Sequence, residues 1–482
     1  MLILDIDSKV ANTICNLQHF CFKEQSLTAP YFNTNTIYCG DCELVLSKFP
    51  DESVDLIYAD PPFFSNQQYE IIWGDGYEIR AFEDRWKGGI NNYVGWMVER
   101  LEQCYRVLKK TGSMYLHCDW HASHYLKVEM DRIFGLQNFI NEITWKRSIA
   151  HNDAKQGAKH FGRLHDTLLF YTKTGSYIWN QQYTEYDKDY VDTFYNKIDE
   201  KGRRYQATDL TAAKPGGDTS YSWHGKQPYI GRYWAYSKAN MEKFEKDGRL
   251  VYTSTGMPRY KRYLDEMFGV PLQDLWVDIS AAGLGKEKLG YPTQKPEALL
   301  ERIILTSSNP MDVVLDPFCG CGTAIFVSHK KGRRWVGVDV SPTACDLMER
   351  RMRKLSVSPN MMGMPLSEED LRKIAPFEFQ NWVVKRLYGR VTARKSGDMG
   401  IDGTTFEGIP IQVKQSDDIG RNVIDNFETA IRRKKKAKGI IVAFSFGKGA
   451  YEELARAKLH ENLDIKALSI NDLLKKQEQQ LI

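Results

Sequence analysis

Four consecutive residues, Asp60, Pro61, Pro62 and Phe63, combine a carboxylate, two residues with no N–H to donate, and an aromatic face. Carbonyl oxygens beside a carboxylate are acceptors for an exocyclic amino group, and the Phe63 ring can stack on the base that carries it. Such a set suits the orientation of a nucleobase amine. The plainer reading is a turn at the end of the apolar run 54–59. A second group lies in Asp316-Pro317-Phe318-Cys319-Gly320-Cys321-Gly322, between an apolar run and a helical pattern. Glycines there let the backbone turn sharply and approach a ligand. Asp339, at the end of the next strand, is placed to accept hydrogen bonds from ribose hydroxyls. No full G-x-G-x-x-G is present, so the loop alone also fits a dinucleotide enzyme. A third group is Asp402, Gln412 and Lys414. The last two alternate with Ile411 and Val413 and so leave one face of a strand, which Asp402 can join across a hairpin.

The elements that must hold these groups emerge from periodicity. Residues 36–39, 54–59, 113–118, 139–145, 166–172, 313–315 and 334–338 read as strands, and 42–49, 93–108, 121–134, 296–307, 322–330 and 345–355 as helices, with Pro296 opening one of them. Alternating strands and helices predict an α/β fold, a doubly wound and mainly parallel sheet. Ligands of such sheets lie beyond the carboxyl ends of the strands, so Asp60 and Asp316 are expected to face one crevice. From about 175 to 280 the alternation stops. Arg203, Arg204, Tyr221, Trp223, Lys226, Tyr229, Arg232, Trp234 and residues 259–263 mix basic and aromatic side chains there. Such a mixture can meet phosphates and bases, or can form an aromatic β subdomain with a solvated basic face. Residues 1–30 carry no motif. Pro359, Gly363 and Pro365 mark a linker over 357–368, after which 369–482 forms a separate unit.

A chain of 482 residues, 42% hydrophobic, has room for two or three domains. No apolar run reaches the roughly 18 residues of a membrane span, and Asp5 and Asp7 stand where a signal peptide would be basic. The expected location is the cytoplasm, away from any membrane. Nine cysteines, an odd number, fit a reducing compartment better than a disulfide framework. Cys39 with Cys42, and His117 with Cys118, His121 and His124, lack a partner cluster at zinc-site spacing and are expected to pack. The net charge of +4 is too small to prove a nucleic-acid partner by itself. No Walker-type loop is present, so no translocase motor is expected in this chain.

Together these residues resemble the S-adenosylmethionine-dependent DNA amino-methyltransferases, in the permuted order of the beta group, in which the catalytic tetrapeptide precedes the cofactor loop. The resemblance spans residues 31–356 and is nearest to modification subunits of type III restriction systems. Asp60-Pro61-Pro62-Phe63 matches the catalytic motif, Phe318 to Gly322 the F-x-G-x-G loop, Thr293-Gln294-Lys295-Pro296 the segment before it, and Gly40-Asp41 and Asp339 the cofactor-contacting acids. The resemblance implies catalysis by Asp60, Pro61, Pro62 and Phe63 on a base flipped from double-stranded DNA. It implies cofactor contacts from Asp41, Thr293, Lys295, Asp316, Phe318, Gly320, Gly322 and Asp339, and a target-recognition insertion over about 175–280. An initial Asp is associated with N6 of adenine and an initial Ser more often with N4 of cytosine.

Residues 369–482 resemble the Mrr-like PD-(D/E)xK restriction endonucleases, whose second acid is often glutamine. This implies Mg2+ on Asp402, the Gln412 side-chain oxygen and the Val413 carbonyl, with Lys414 beside the attacking water and Glu378, on an apolar helix, as a further catalytic acid. A surface ion pair of Asp402 and Lys414 on a noncatalytic fold stays open, as does mere solvation of the run Arg432, Arg433, Lys434, Lys435, Lys436 and Lys438, which could otherwise meet DNA phosphates. The expected whole is one polypeptide that methylates and cuts DNA, with a homodimer allowed. A solitary methyltransferase, for adenine or cytosine, carrying a noncatalytic DNA-binding module is the alternative. A third reading makes the amino-terminal fold an inactive DNA reader that directs the nuclease.

Overall fold

The computed structural model describes residues 31–64, 68–72, 78–83, 89–148, 159–281, 294–392 and 400–478. One compact unit is Asn180–Gln273, and the other combines the chain on either side of it.

In the larger unit β1 (Thr36–Cys39) leads into α1 (Cys42–Leu46), and after β2 (Val54–Ala59) come α2 (Ile90–Val107), β3 (Leu108–Cys118), α3 (Ser123–Phe134), β4 (Phe139–Lys146) and β5 (His165–Thr172). Beyond the other unit lie β6 (Leu275–Trp276), α4 (Glu297–Ser307), β7 (Val313–Asp316), α5 (Thr323–Lys330), β8 (Arg334–Asp339), α6 (Pro342–Arg353) and β9 (Asn360–Met362). These strands form one nine-stranded sheet in the order β6-β4-β5-β3-β2-β7-β8-β1-β9. Every neighbouring pair is parallel except the two that β5 makes. The sequence of β2 shows why it lies inside. All six residues are buried, as in a strand covered on both faces, and its one charge, Asp55, accepts from Lys109 Nζ at 2.8 Å and from the Val313 N–H at 2.9 Å.

The stretch 357–368, expected as a linker, contributes β9, which pairs with β1. It is held close by Gly363, at φ 74°, where a Cβ would stand 2.2 Å from the Cys39 carbonyl oxygen. Then α7 (Glu368–Lys373), closed by a Ser367–Asp370 capping box, and α8 (Pro376–Arg386) lead to a second sheet. Its order is β10 (Gly389–Val391), β11 (Gly403–Thr405), β12 (Pro410–Val413), β13 (Lys438–Ala443) and β14 (Asp464–Ser469), the first two pairings antiparallel and the last two parallel. Helices α9 (Arg421–Arg433), α10 (Lys448–Glu461) and α11 (Ile470–Glu478) complete it. One apolar cluster joins Cys321 and Leu347 of the first sheet's layers to Leu371, Phe379, Trp382 and Val383.

The unit Asn180–Gln273 holds a four-stranded antiparallel sheet made of Lys197–Ile198, Arg204–Asp209, Pro258–Tyr263 and Leu250–Tyr252. Trp223 and Trp234, which the sequence offers as stacking residues, are buried in its core with Leu210 and Met241. Several of its cations are already paired: Arg203 with Asp265 and Glu266, Arg204 with Asp192, and Arg259 with Asp209. Lys226 and Tyr229 remain exposed.

Candidate active sites

Because β1, β2, β7, β8 and β9 run parallel, their carboxyl ends share one edge of the sheet, and the residues just beyond those ends meet there. Asp41, Asp60, Asp316, Phe318, Gly320, Asp339 and Gly363 all line one cavity of about 890 Å³. Within it Asp60 Oδ2 is ion-paired with Lys295, and Oδ1 is buried with no hydrogen-bond partner among the described residues. An acceptor left like this inside a cavity is costly unless something arrives to use it. The Phe63 ring lies 5.0 Å from Lys295 Nζ and 5.6 Å from the His117 ring. Pro61 and Pro62 line the same space, but the Pro62 carbonyl accepts from the Tyr93 hydroxyl at 2.6 Å. The Pro62 carbonyl, expected as an open acceptor, is thus already engaged by Tyr93.

Behind Asp60 stands a network of residues that the sequence pattern assigns only to packing. His117 is fully buried, with Nδ1 2.8 Å from the Tyr58 hydroxyl, Nε2 3.3 Å from Asp166 Oδ2, and Nδ1 4.0 Å from Asp60 Oδ1. The antiparallel direction of β5 brings Asp166, at its start, to the end of β3 where His117 lies. Burial pushes the Asp166 carboxyl up, but the His117 hydrogen bond and the charges of His117, Arg147 and Lys295 together hold it below the usual carboxylate range. His121 pairs instead with Asp119 at 2.7 Å.

The glycine loop turns through Gly320 at φ 51° and Gly322 at φ 78°, and a Cβ on Gly322 would meet Met348 Cγ at 2.8 Å. Asp339 ties the loop down by accepting from the Gly320 N–H at 2.7 Å and the Ser341 N–H at 2.9 Å. Burial raises its carboxyl to about 6, the two N–H bonds opposing. Asp316 is pushed well above the carboxylate range by burial, with Asp60 and Asp339 adding like charge. Asp41 caps α1 through the Glu43 N–H at 2.9 Å and pairs with Arg100, whose guanidinium lies 3.9 Å from the Trp96 ring centroid. Lys295, expected at a cofactor, is engaged by Asp60, and Thr293 falls outside the described residues.

Glu378 is not at the third group. It is buried where the two sheets' layers meet, accepting from Ser341 Oγ at 2.5 Å and Thr343 Oγ1 at 3.0 Å, and it lines the cavity already described. The residue that α8 turns toward Asp402 is Gln380, whose Nε2 donates to the Asp402 carbonyl at 3.1 Å. Two positions along a helix are about 200° apart, so Glu378 and Gln380 serve opposite sides. Only the polarity of Gln380 within an apolar stretch could have drawn attention to it.

The β11–β12 hairpin pairs Gly403 with Ile411, which sets Asp402 beside the end of β12. Asp402 Oδ2 accepts from the Val413 N–H at 2.7 Å, and its own N–H donates to the Ile411 carbonyl at 2.8 Å. Gln412 is 2% exposed, and its Oε1 is buried without a hydrogen-bond partner among the described residues. Lys414 is half-buried, two residues along the same strand face. The Asp402 carboxylate and the Gln412 amide oxygen are both hard-oxygen donors, of the kind that fits a hard divalent cation. Of the basic run, Arg432 is paired with Glu428 and Glu461, while Arg433 to Lys436 and Lys438 are exposed.

Residues 54–350 match the family model described as DNA methylase, and residues 371–475 match the model described as restriction endonuclease, an Mrr-type catalytic domain. The type II methyltransferase M.EcaI of Enterobacter cloacae is 31% identical over 337 residues, 68% of this chain and 71% of that protein. The DNA adenine methyltransferase YhdJ of Escherichia coli K12 is 28% identical over 346 residues, 70% and 88% of the two chains. The Mod subunit of the type III enzyme StyLTI of Salmonella typhimurium is 27% identical over 306 residues, 56% and 46% of the two chains. Among solved structures, an M1.HpyAVI–SAM complex overlays at TM-score 0.36 with 16% identity, covering 66% of this chain and 98% of the other.

Proposed function

This chain belongs to the DNA methylase family and carries an Mrr-type restriction endonuclease domain behind the methylase, and on that premise we propose how it works. It transfers methyl from S-adenosylmethionine to the N6 amine of an adenine flipped from double-stranded DNA, and it cuts DNA with Mg2+. The observation that carries the first part is Asp60 Oδ1, a buried acceptor without a partner among the described residues, in the cavity that also holds the glycine loop. The amino lone pair of adenine is delocalised into the ring, so the amine attacks poorly unless it is oriented. Asp60 Oδ1 and the Pro61 carbonyl accept its two hydrogens, and Phe63 stacks on the ring. Lys295, on the other oxygen, holds the carboxylate in place. The proton lost on methylation has Asp60 Oδ1 as its nearest acceptor, with His117 Nδ1 4.0 Å beyond it.

The residues present fit the methyl donor. Gly320, on the cavity wall, and Gly322 turn the loop at positive φ, where a larger residue would be strained, and Asp339 offers acceptors for ribose hydroxyls. The donor, when bound, supplies a sulfonium methyl. In the second domain the unsatisfied Gln412 Oε1 and the Asp402 carboxylate would hold the metal ion, with Lys414 orienting water. We read Asn180–Gln273 as the segment that recognises the DNA sequence. Among the described residues no helix is long and apolar enough to cross a membrane. We take the protein to act on cytoplasmic DNA.

The test of base choice is mass spectrometry of nucleosides from DNA methylated by the purified protein. N6-methyladenine is expected, and N4-methylcytosine without methyladenine would overturn the assignment. The donor site has its own pH signature. Asp339 accepts best as a carboxylate, and with its pKa at about 6 that form is complete at pH 7.5 and scarce at pH 5. Donor affinity measured by calorimetry should therefore fall about tenfold between those pH values. Asp339→Asn should bind weakly with little pH dependence, and an unchanged pH response in that variant would remove Asp339 from the role.

A further inference from the structure

We propose that the restriction domain and the segment leading into it build part of the methyl-donor site: Glu378 is a positioning residue for the end of β8, and Leu366, Ile374 and Phe377 wall the nucleoside end of the cavity. This rests on reading the cavity as the methyl-donor site. The cavity is lined on one side by the glycine loop and the residues after β8, and on the other by residues from Gly363 to Glu378. Ser341 connects the two sides. Its N–H binds Asp339, its Oγ caps α6 by accepting from the Ala344 N–H at 3.1 Å, and its hydroxyl hydrogen goes to Glu378. Thr343 donates to the other Glu378 oxygen. One carboxylate from α8 thus fastens the start of α6, and through Ser341 the acid placed for ribose.

A carboxylate is expensive to bury, and Glu378 is 4% exposed. Burial lifts its pKa to about 7 against the two hydroxyl donors. The charged groups around it are Lys385, which itself pairs with Asp346 of α6 at 3.4 Å, and Asp339. None of these belongs to the Asp402 site, and the Glu378 hydrogen bonds among the described residues go to Ser341 and Thr343 on the methyl-donor side. The apolar part agrees. Val340 and Leu366 are 67% and 69% exposed, large apolar side chains that line the same cavity, and Ile374 and Phe377 line it too. Exposed apolar side chains beside a ribose acceptor suit the two faces of a flat nucleobase.

The experiment is calorimetry on the full chain with S-adenosylhomocysteine, which binds without reacting, together with steady-state kinetics. Glu378→Ala should weaken binding about tenfold, the loss expected when a doubly hydrogen-bonded carboxylate is removed. Glu378→Gln, which keeps one acceptor, should restore part of it. Leu366→Ala, at an exposed position where folding is not at risk, should weaken binding about threefold. Each loss should appear in KM for the donor and not in KM for DNA. If Glu378→Ala does not fold, the Gln variant and Leu366→Ala decide. Wild-type affinity in both of these overturns the proposal, as does loss of metal-dependent cleavage in Glu378→Gln with donor affinity intact. If the wild-type protein binds no S-adenosylhomocysteine, the methyl-donor reading itself is wrong.

Discussion

Replacing Asp60 with alanine should lower methyl transfer at least about a thousandfold while donor affinity stays within about threefold. The carboxylate has two tasks. One oxygen is held by Lys295, and the other, without a hydrogen-bond partner among the described residues, is the acceptor proposed for the amine. Alanine removes both, so the amine is neither oriented nor relieved of its proton, and orientation alone carries a large share of the barrier. Asp60→Asn keeps one carbonyl oxygen and should lose less. The proposed donor site rests on Gly320, Gly322 and Asp339, with which Asp60 shares no hydrogen bond or ion pair among the described residues, so Asp339→Ala should show the reverse pattern. Equal loss of donor affinity in Asp60→Ala and Asp339→Ala, measured by calorimetry, would contradict this division.

In the second domain, Asp402→Asn and Lys414→Ala should each stop Mg2+-dependent DNA cleavage, a loss of about a thousandfold or more, and leave methyl transfer intact. Asparagine is the sharper test at Asp402, because one oxygen can still accept from the Val413 N–H that closes the hairpin while the charge that holds the metal is gone. Lys414→Ala leaves that oxygen set assembled and removes the cation beside the water. Chelation with EDTA should abolish cutting and spare methylation. Cleavage that survives both substitutions means the site is elsewhere. If the wild-type protein cuts neither methylated nor unmethylated DNA, a noncatalytic binding module replaces the nuclease.

Much of this is legible in the sequence because parallel sheets are predictable in one respect: the residues just past each strand gather at one edge. Asp60, Asp316 and Asp339 are separated widely along the chain, yet each ends a buried apolar strand, and their meeting needs only parallel order. Periodicity cannot tell which side a helix presents when both of its sides are buried. Glu378 and Gln380 sit on one apolar helix between two cores, and the sequence pattern alone fits either residue to either site. Pro62 illustrates a second limit, since a backbone acceptor is free or taken according to a tyrosine 31 residues away. Strand β9 illustrates a third. Three residues between prolines carry too little pattern to be seen as the edge of a sheet begun more than three hundred residues earlier. Trp223 and Trp234 belong to a core and not to a base, and no pattern separates the two, because an aromatic residue suits a small core as well as it suits a stack.

The order in which the cavity's residues occur along the chain also sets a timetable. Every residue that lines it comes no later than Glu378, whereas Asp402, Gln412 and Lys414 are still to be translated at that point. At about 5–20 residues per second, a ribosome needs a few seconds to pass from the one set to the other. Under the proposed function, a newborn copy therefore possesses every side chain assigned to marking the host's DNA before it possesses those assigned to breaking it.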